Sequence, residues 1–237
     1  GAAHATQQNG MVAASEWYST GLDRMERKNL ELNVKTGTSS VEVFTSDVMT
    51  INGGWGAFMN RYIYIIDGNG VMKIEHTVTP DGLLPSWLPR VGLEWVFSND
   101  LDRITWYGRG PQENYPDRKS GYRTGIYSST AGQMYEPYLI PQDYGLRCEN
   151  RWVRLRDSDG KGFEFSGSSL FNFNAYPFST DNLTRALYTY QLHQSDGITF
   201  NLDYATSGVG CTALSVFSKY RVLPQEYSFT TTVRPLK

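Results

Sequence analysis

The sequence predicts an all-β fold, a large antiparallel sandwich built as a single domain over residues 1–237. Short segments in which apolar and polar residues alternate recur along the chain, as expected of strands that bury one face. Turn residues separate these segments at short intervals, and only one or two stretches are compatible with a short helix. An aromatic content of 14%, with 16 tyrosines, favours strands with amphipathic surfaces.

The composition excludes two classes of partner. A net charge of -2 and a pI of about 6.0 provide no basic field for a phosphate backbone, so we expect no nucleic-acid binding. No apolar run approaches the ~20 residues that cross a bilayer, so we expect no membrane insertion. The first ten residues lack the charged and apolar regions of a signal peptide.

The first third of the chain predicts one ambiguous segment and then a series of strands. Residues 12–22 form either a short helix with Ser15 as its N-cap or a loop that carries Trp17 and Tyr18. Period-two alternation then predicts strands at 30–34 and 41–48. The turn Asp67-Gly-Asn-Gly70 between two alternating runs predicts a hairpin over 62–78.

The rest of the chain continues the β pattern after a proline-rich connector at 80–89. Predicted strands with the same alternating pattern flank this connector on both sides, so we interpret it as a loop within one domain. A Ser-Thr-Asp-Asn sequence predicts a capped helix of one or two turns at 180–186. Further strands are predicted at 91–97, 101–107, 120–127, 151–156, 162–166, 170–175, 189–193, 198–204 and 227–233.

The most distinctive stretch is Trp-Tyr-Gly-Arg-Gly-Pro-Gln-Glu-Asn-Tyr-Pro-Asp-Arg at 106–118. Gly108 and Gly110 can adopt backbone angles closed to other residues, and Pro111 and Pro116 rule out a helix. We expect a rigid irregular loop whose polar groups converge. Such a loop either holds the fold together or lines a site.

Most catalytic chemistries have little support in the sequence. His4, His76 and His193 are the only histidines and have no second ligand at a metal spacing. No nucleophile elbow and no dinucleotide motif occurs. Cys148 and Cys211 are interpreted as free, partly buried thiols, with a disulfide between them left open.

Paired carboxylates are the remaining candidates for catalysis. Retaining glycoside hydrolysis needs two carboxyl groups about 5–5.5 Å apart. Two loops each carry two acids, Glu113 with Asp117 and Glu136 with Asp143. The interpretation we favour is that these acids pair with the nearby arginines, namely Arg109, Arg118 and Arg147.

Four motifs, in order, resemble the C-terminal domain of family 2 β-galactosidases, the large lactose-cleaving enzymes. The 106–118 stretch resembles the longest signature of that domain. Met134-Tyr-Glu-Pro-Tyr138 with Pro141-Gln-Asp-Tyr-Gly-Leu-Arg147 resembles the second, and Asn201-x-Asp203 with Gly208-Val-Gly210 resembles the last. The hairpin over 62–78 resembles the segment upstream, so the resemblance covers nearly the whole chain.

The resemblance implies the fifth, small-chain domain of a larger glycosidase, a supersandwich similar to galactose mutarotase. In the family this domain follows a (β/α) barrel and three smaller β-domains. The barrel holds the catalytic glutamates and the magnesium site, so no catalytic residue and no cofactor is expected in this chain. Expected partners are galactosides or related sugars, the barrel and the other β-domains. Whether the parent enzyme is a homo-oligomer, and whether it lies in the bacterial cytoplasm or periplasm, stays open.

The chain departs from the family pattern at two places. The family has an Arg-x-Pro-x-Asp-Asn-Asp segment near the start of the domain, and this chain begins just after it. We therefore expect the first strand or two to be missing and an edge to be exposed. After Gly-Val-Gly the family runs Gly-Asp-Asp-Ser-Trp, with the Trp stacked on the sugar. Ser215 stands in register with that Trp, and Phe217 is the nearest aromatic residue.

The resemblance also suggests roles for individual residues. Ser215 and Phe217 are expected to lie near the sugar, and Trp17 and Tyr18 near the mouth of the active site. An architectural role is favoured for the signature-loop residues, which are Arg109, Glu113, Asn114, Tyr115, Asp117, Arg118 and Arg147.

Three functions follow from these observations. The first is the C-terminal domain of a β-galactosidase, which hydrolyses terminal β-D-galactosyl residues. The second is a free-standing carbohydrate-binding module that uses the aromatic-rich face. The third, by analogy of fold alone, is an aldose 1-epimerase in which His193 acts with a glutamate.

Overall fold

The computed structural model describes residues 13–210 and 215–237 and confirms the predicted all-β antiparallel architecture. Two short helices, α1 (Ala13–Ser19) and α2 (Thr180–Arg185), occur in the described part of the chain. The described strands are β1 (Glu26–Thr36), β2 (Ser40–Ile51), β3 (Gly56–Asp67), β4 (Met72–Gly82), β5 (Arg90–Ser98), β6 (Arg103–Gly110), β7 (Arg123–Thr130), β8 (Arg147–Arg156), β9 (Gly162–Tyr176), β10 (Gly197–Thr206) and β11 (Tyr227–Leu236).

One continuous hydrogen-bonded network joins these strands. Its main path runs β1-β2-β3-β4-β11-β9-β8-β6-β7, and β10 joins β5 to β9 beside this path. All pairs are antiparallel. The backbone hydrogen bonds that join the meander β1–β4 to the rest of the sheet therefore run through β11, which lies between β4 and β9.

The core forms where the β5–β10 pair folds over the main sheet. Phe200 pairs with Ala175 near the end of β9, yet its ring lies 4.8 Å from the ring of Phe165 near the start of that strand. Trp95 of β5 also lies 5.3 Å from Phe165. Two layers of antiparallel strands thus enclose one large aromatic core, and the predicted sandwich is confirmed.

The predicted hairpin is present as β3 and β4. The Asp67 carboxylate accepts hydrogen bonds from the backbone N–H groups of Asn69 (2.8 Å) and Val71 (3.0 Å). Gly70 takes a φ of 78°, which favours glycine. The Asp-Gly-Asn-Gly sequence therefore closes the turn through local hydrogen bonds.

Several predicted elements differ from the structure. Ser15 lies inside α1 and is not its N-cap. Residues 106–110 belong to β6, so the irregular loop begins only at Pro111. The strands predicted at 162–166 and 170–175 form the single strand β9. Residues 189–191 form a 3-10 turn, so the strand prediction at 189–193 was wrong.

The strand β1 is an exposed edge. All of its residues are exposed, including Leu30, Leu32 and Val34 at 63%, 63% and 58%. Pairing with β2 is interrupted by a bulge between Lys28 and Glu31. Within the described residues, no helix is long and apolar enough to cross a membrane.

Candidate functional site

The three motifs at 106–118, 134–147 and 201–210 meet at one end of the sheet. The loop that follows β6 lies against the segment before β8, where the Asn114 N–H donates to the Leu146 carbonyl at 2.8 Å. The same loop reaches the segment after β10 through Asp117. The structure therefore brings together segments that the sequence separates.

Glu113 is a buried carboxylate surrounded by donors. The residue is only 5% exposed, and its carboxylate accepts a hydrogen bond from the Gly145 N–H at 2.9 Å. Arg118, Tyr138 and Tyr115 also donate to it. The expected pairing with Arg118 is thus present. Burial, followed by the hydrogen bond to Glu113, raises the pKa of Tyr138 to about 12.

Asp117 holds the Gly208-Val-Gly210 segment. Its two carboxylate oxygens accept hydrogen bonds from the N–H groups of Val209 (3.1 Å) and Gly210 (2.7 Å). A Cβ atom at Gly208 would lie 2.5 Å from the Asp117 carboxyl carbon, so only glycine fits there. This contact explains in physical terms why the Tyr-Pro-Asp motif and the Gly-Val-Gly motif lie against each other.

Arg147 and Asn114 fix the backbone around Glu113. Arg147 is buried, donates to the carbonyls of Pro111 (3.0 Å) and Gly145 (2.8 Å), and lies 5.4 Å from the Trp106 ring centre. Asn114 is fully buried and accepts a hydrogen bond from the Cys148 N–H at 3.0 Å. Both side chains satisfy buried backbone groups, as expected of structural residues.

Arg109 contacts the segment that follows the 106–118 loop and the start of β8. It donates to the Tyr122 carbonyl at 2.8 Å and forms an ion pair with Glu149, which Lys119 also contacts. Burial raises the pKa of Glu149, but the two cations outweigh it and leave this pKa below its ordinary value.

Cys148 is a free buried thiol, and burial raises its pKa to about 12. Cys211 lies outside the described residues, as does His4. The prediction of free thiols therefore holds for Cys148.

The described residues 207–210 and 215–222, named here the 207–222 loop, come close together through hydrogen bonds. The Ser207 hydroxyl donates to the Leu88 carbonyl at 2.6 Å and accepts from the Val222 N–H at 2.8 Å. The Gly208 N–H donates to the Tyr220 carbonyl at 2.8 Å. With Asp117 these contacts fix the base of the loop, while Phe217 stays 65% exposed.

Arg221 links this loop to α1. It donates to the Val216 carbonyl at 2.9 Å and to the Ser215 hydroxyl at 3.2 Å. Its guanidinium lies 5.2 Å from the ring centre of the buried Trp87. Trp17 donates to the Trp87 carbonyl at 2.8 Å, and the two rings meet edge to face at 4.7 Å.

The structure therefore connects two groups of residues that the sequence predicted separately. Trp17 and Ser215 are joined through Trp87 and Arg221, neither of which was predicted from the sequence. The one signal for Trp87 was its place between Pro85 and Pro89 in the connector. Tyr18, on α1, is half-buried, and its carbonyl accepts a hydrogen bond from Arg24.

A second polar cluster involves Asp143 and Asp203 of the other two motifs. Arg90 of β5 lies between them, 2.6 Å from an Asp143 oxygen and 3.6 Å from an Asp203 oxygen. Asn174 donates to Asp143 at 2.8 Å. Asp143 thus pairs with Arg90 instead of the expected Arg109, Arg118 or Arg147. Burial raises the pKa of Asp203 to about 6, with Arg90 opposing the shift.

A model of the family described as beta galactosidase small chain matches residues 3–233. The chain belongs to this family. The resemblance seen in the motifs is thereby confirmed, and the converging loops are those of a β-galactosidase small-chain domain.

Curated β-galactosidases are similar to this small-chain domain over much of its length. The protein of Priestia megaterium is 35% identical over 147 residues, which are 62% of this chain and 14% of that protein. The protein of Photobacterium profundum is 31% identical over 224 residues, which are 92% of this chain and 21% of that protein. The chain thus spans about a fifth or less of the length of these relatives.

Solved structures that the chain resembles include an aldose epimerase homologue and a galactose epimerase. A GalM/aldose epimerase homologue from C. elegans has a TM-score of 0.45 and 10% identity, over 88% of this chain and 69% of that chain. Galactose 1-epimerase from Lactobacillus acidophilus has a TM-score of 0.41 and 10% identity, over 88% and 67%. At these TM-scores the likeness supports no conclusion about function.

The geometry of the small-chain domain favours architecture over acid–base catalysis at the motif carboxylates. Glu113, Asp117 and Asp143 each accept hydrogen bonds from fixed donors. Among the residues described, no group of three or more His, Cys, Asp and Glu side chains could hold a metal ion. His193, the residue considered for epimerase chemistry, is exposed on the segment after the 3-10 turn.

Proposed function

We propose that the chain acts as the C-terminal part of a β-galactosidase that hydrolyses terminal β-D-galactosyl residues. In this proposal the catalytic glutamates belong to a separate barrel, and this domain forms part of the active-site mouth and contacts the sugar. Membership of the small-chain family supports the assignment. The carboxylates of Glu113 and Asp117 already accept hydrogen bonds from backbone N–H groups, which supports placing the catalytic groups elsewhere.

The observation that carries the proposal is the anchored 207–222 loop with its exposed aromatic ring. Phe217 presents most of its side chain to solvent, whereas the base of the loop is fixed through Ser207, Asp117 and Arg221. A ring held in this way can stack on a sugar at little entropic cost, for about 0.5–1.5 kcal/mol. Phe217 would then replace the aromatic residue that the family places in register with Ser215.

The proposed partners follow from the same arrangement. The barrel and the other β-domains of the enzyme would contact the end of the sheet where the three motifs meet. Galactosides would lie between the barrel and the 207–222 loop. The magnesium ion expected for the barrel would have no ligand in this domain.

The test is to assay the purified chain with a chromogenic galactoside and to titrate it with galactose and lactose by calorimetry, up to tens of millimolar. We expect no turnover and no saturable binding, because the sugar site would be completed by the barrel. Turnover by the chain alone would contradict the assignment of the catalytic carboxylates. Saturable sugar binding without turnover would favour a carbohydrate-binding module.

A further inference from the structure

Two arginines lie directly opposite each other on the outer face of the sheet. Arg103 of β6 and Arg156 of β8 are cross-strand partners. Their neighbours Ile104 and Leu155 are fully buried in the core, so the arginines point away from it. Like charges in directly opposed positions destabilise a sheet unless another group compensates them.

Neither guanidinium has a compensating carboxylate among the described residues. The contrast with Arg154, one step along the same face of β8, is clear, because Arg154 pairs with Glu164 at 2.7 Å. The Nε atom of Arg156 is buried and has no hydrogen-bond partner. A buried donor without an acceptor costs free energy.

The two arginines line a shallow groove together with hydroxyl groups. Thr105 and Ser128 lie in this groove with their hydroxyl oxygens 3.0 Å apart, and Thr130 lies beside Arg103 on β7. Hydroxyl groups next to guanidinium groups supply several donors to one ligand.

Two acidic residues, Asp157 and Asp159, also line the groove, and each contacts groups of its own turn. One oxygen of Asp157 accepts hydrogen bonds from the N–H groups of Asp159 and Lys161, both at 2.9 Å. Asp159 lies 3.8 Å from the Lys161 ammonium group. Neither carboxylate reaches the arginines at ion-pair distance.

We propose that this groove binds a small oxyanion, such as phosphate or sulfate, between Arg103 and Arg156. Guanidinium groups suit such an anion because their planar forks donate two parallel hydrogen bonds to its oxygens. The anion would relieve the opposition of the two positive charges by accepting hydrogen bonds from the terminal nitrogen atoms of the two guanidinium groups. The groove involves β6, β7 and β8 and none of the residues of the 207–222 loop, so the proposal does not rest on the function proposed above.

The test is calorimetric titration of the chain with inorganic phosphate at low ionic strength, with thermal unfolding measured in parallel. We expect saturable binding and a saturable rise in Tm, whereas chloride at equal ionic strength has a smaller effect. Arg103→Gln and Arg156→Gln each weaken binding at least tenfold. Arg123→Gln, which removes an equal charge from an exposed position on β7 outside the groove, leaves binding unchanged.

A second readout separates loss of binding from loss of folding. In phosphate-free buffer Arg103→Gln keeps or raises the Tm, because it removes one of two opposed charges, but it abolishes the rise with phosphate. Phosphate and chloride acting alike, or Arg103→Gln responding to phosphate like the original chain, would overturn the proposal.

Discussion

At the scale of single residues, the candidate site depends on side chains that bind backbone groups. Glu113 and Asp117 accept from N–H groups, and Arg147 donates to carbonyls. Such contacts are charge-assisted and hold irregular loops that have no strand partner. The conformation of the 106–118 and 207–222 segments therefore depends on a few individual residues.

Asp117→Ala should lower the free energy of unfolding by about 1–3 kcal/mol, because two N–H groups lose a charged acceptor. Asp117→Asn should cost less, since one oxygen remains. Asp159→Ala, which removes an exposed acid in a weak ion pair, should change stability by less than about 0.5 kcal/mol. Urea unfolding measures all three, and equal stabilities of Asp117→Ala and the original chain would contradict the anchoring role.

Asp203 should make stability depend on pH in an unusual direction. Its pKa is raised to about 6 in the folded chain, chiefly by burial. The folded chain therefore binds this proton more tightly than the unfolded chain does, and the stability that the proton provides is lost as pH rises from about 4 through 6. The unfolding free energy of the original chain minus that of Asp203→Asn should therefore fall across this window. If this difference in unfolding free energy stays constant between pH 4 and 7, burial does not disfavour the charged form of Asp203.

At the scale of elements, strands differ sharply in how much they contribute to the core. Phe165, Phe171 and Phe173 of β9 are almost completely buried, whereas every residue of β1 is exposed. The β9 strand pairs with β8, β10 and β11, whereas β2 is the one partner of β1 among the described strands. Tolerance to substitution should follow the same division.

Phe165→Ala should cost about 3–5 kcal/mol, because it leaves a cavity beneath Trp95, Phe97 and Phe200. Leu32→Lys should change stability by less than about 0.5 kcal/mol, because the side chain is 63% exposed in the folded chain. Both values come from denaturant midpoints of the purified variants. A loss above about 2 kcal/mol for Leu32→Lys would indicate that β1 is covered in solution.

The sequence predicted elements where local patterning decides the structure. Alternation in β2, β3 and β10 and the Asp67–Gly70 turn were sufficient to place those elements. The strand predicted at 189–193 was wrong because Gln191 accepts hydrogen bonds from the N–H groups of Leu187 and Tyr188, which stabilises a turn despite the strand-like alternation.

The candidate site was predictable only in part. Glu113 and Arg118 lie on one loop, so their ion pair could be expected from proximity. Arg90 and Asp143 lie on distant segments that the fold brings together, and no local pattern marks Arg90. The contacts of Trp87 and Arg221 likewise depend on the packing of α1 against the 207–222 loop.

At the scale of the whole molecule, the proposed function depends on parts outside this chain. The domain supplies an exposed ring at Phe217 and a hydrogen-bonded loop base behind it. The effect of that ring should appear only in the complete enzyme, where the proposed sugar site is assembled.

Phe217→Ala in the complete enzyme should raise KM for a galactoside about 2- to 12-fold, corresponding to the loss of about 0.5–1.5 kcal/mol of stacking. Phe217→Trp should preserve KM. Tyr190→Ala removes another exposed ring, which is 75% exposed and lies in the 3-10 turn after α2, and should leave KM unchanged. Steady-state kinetics distinguishes these outcomes, and an unchanged KM for Phe217→Ala would exclude sugar stacking at this residue.

The place of β11 between β4 and β9 has a consequence for biosynthesis. The meander β1–β4 and the strands β5–β10 leave the ribosome first, but β11, the last of the described strands, is the one that joins them. Until it emerges, β4 and the first half of β9 each present an unpaired edge to solvent or to a chaperone. A nascent chain that ends before residue 227 should therefore bind chaperones and be degraded far faster than one that extends past residue 236.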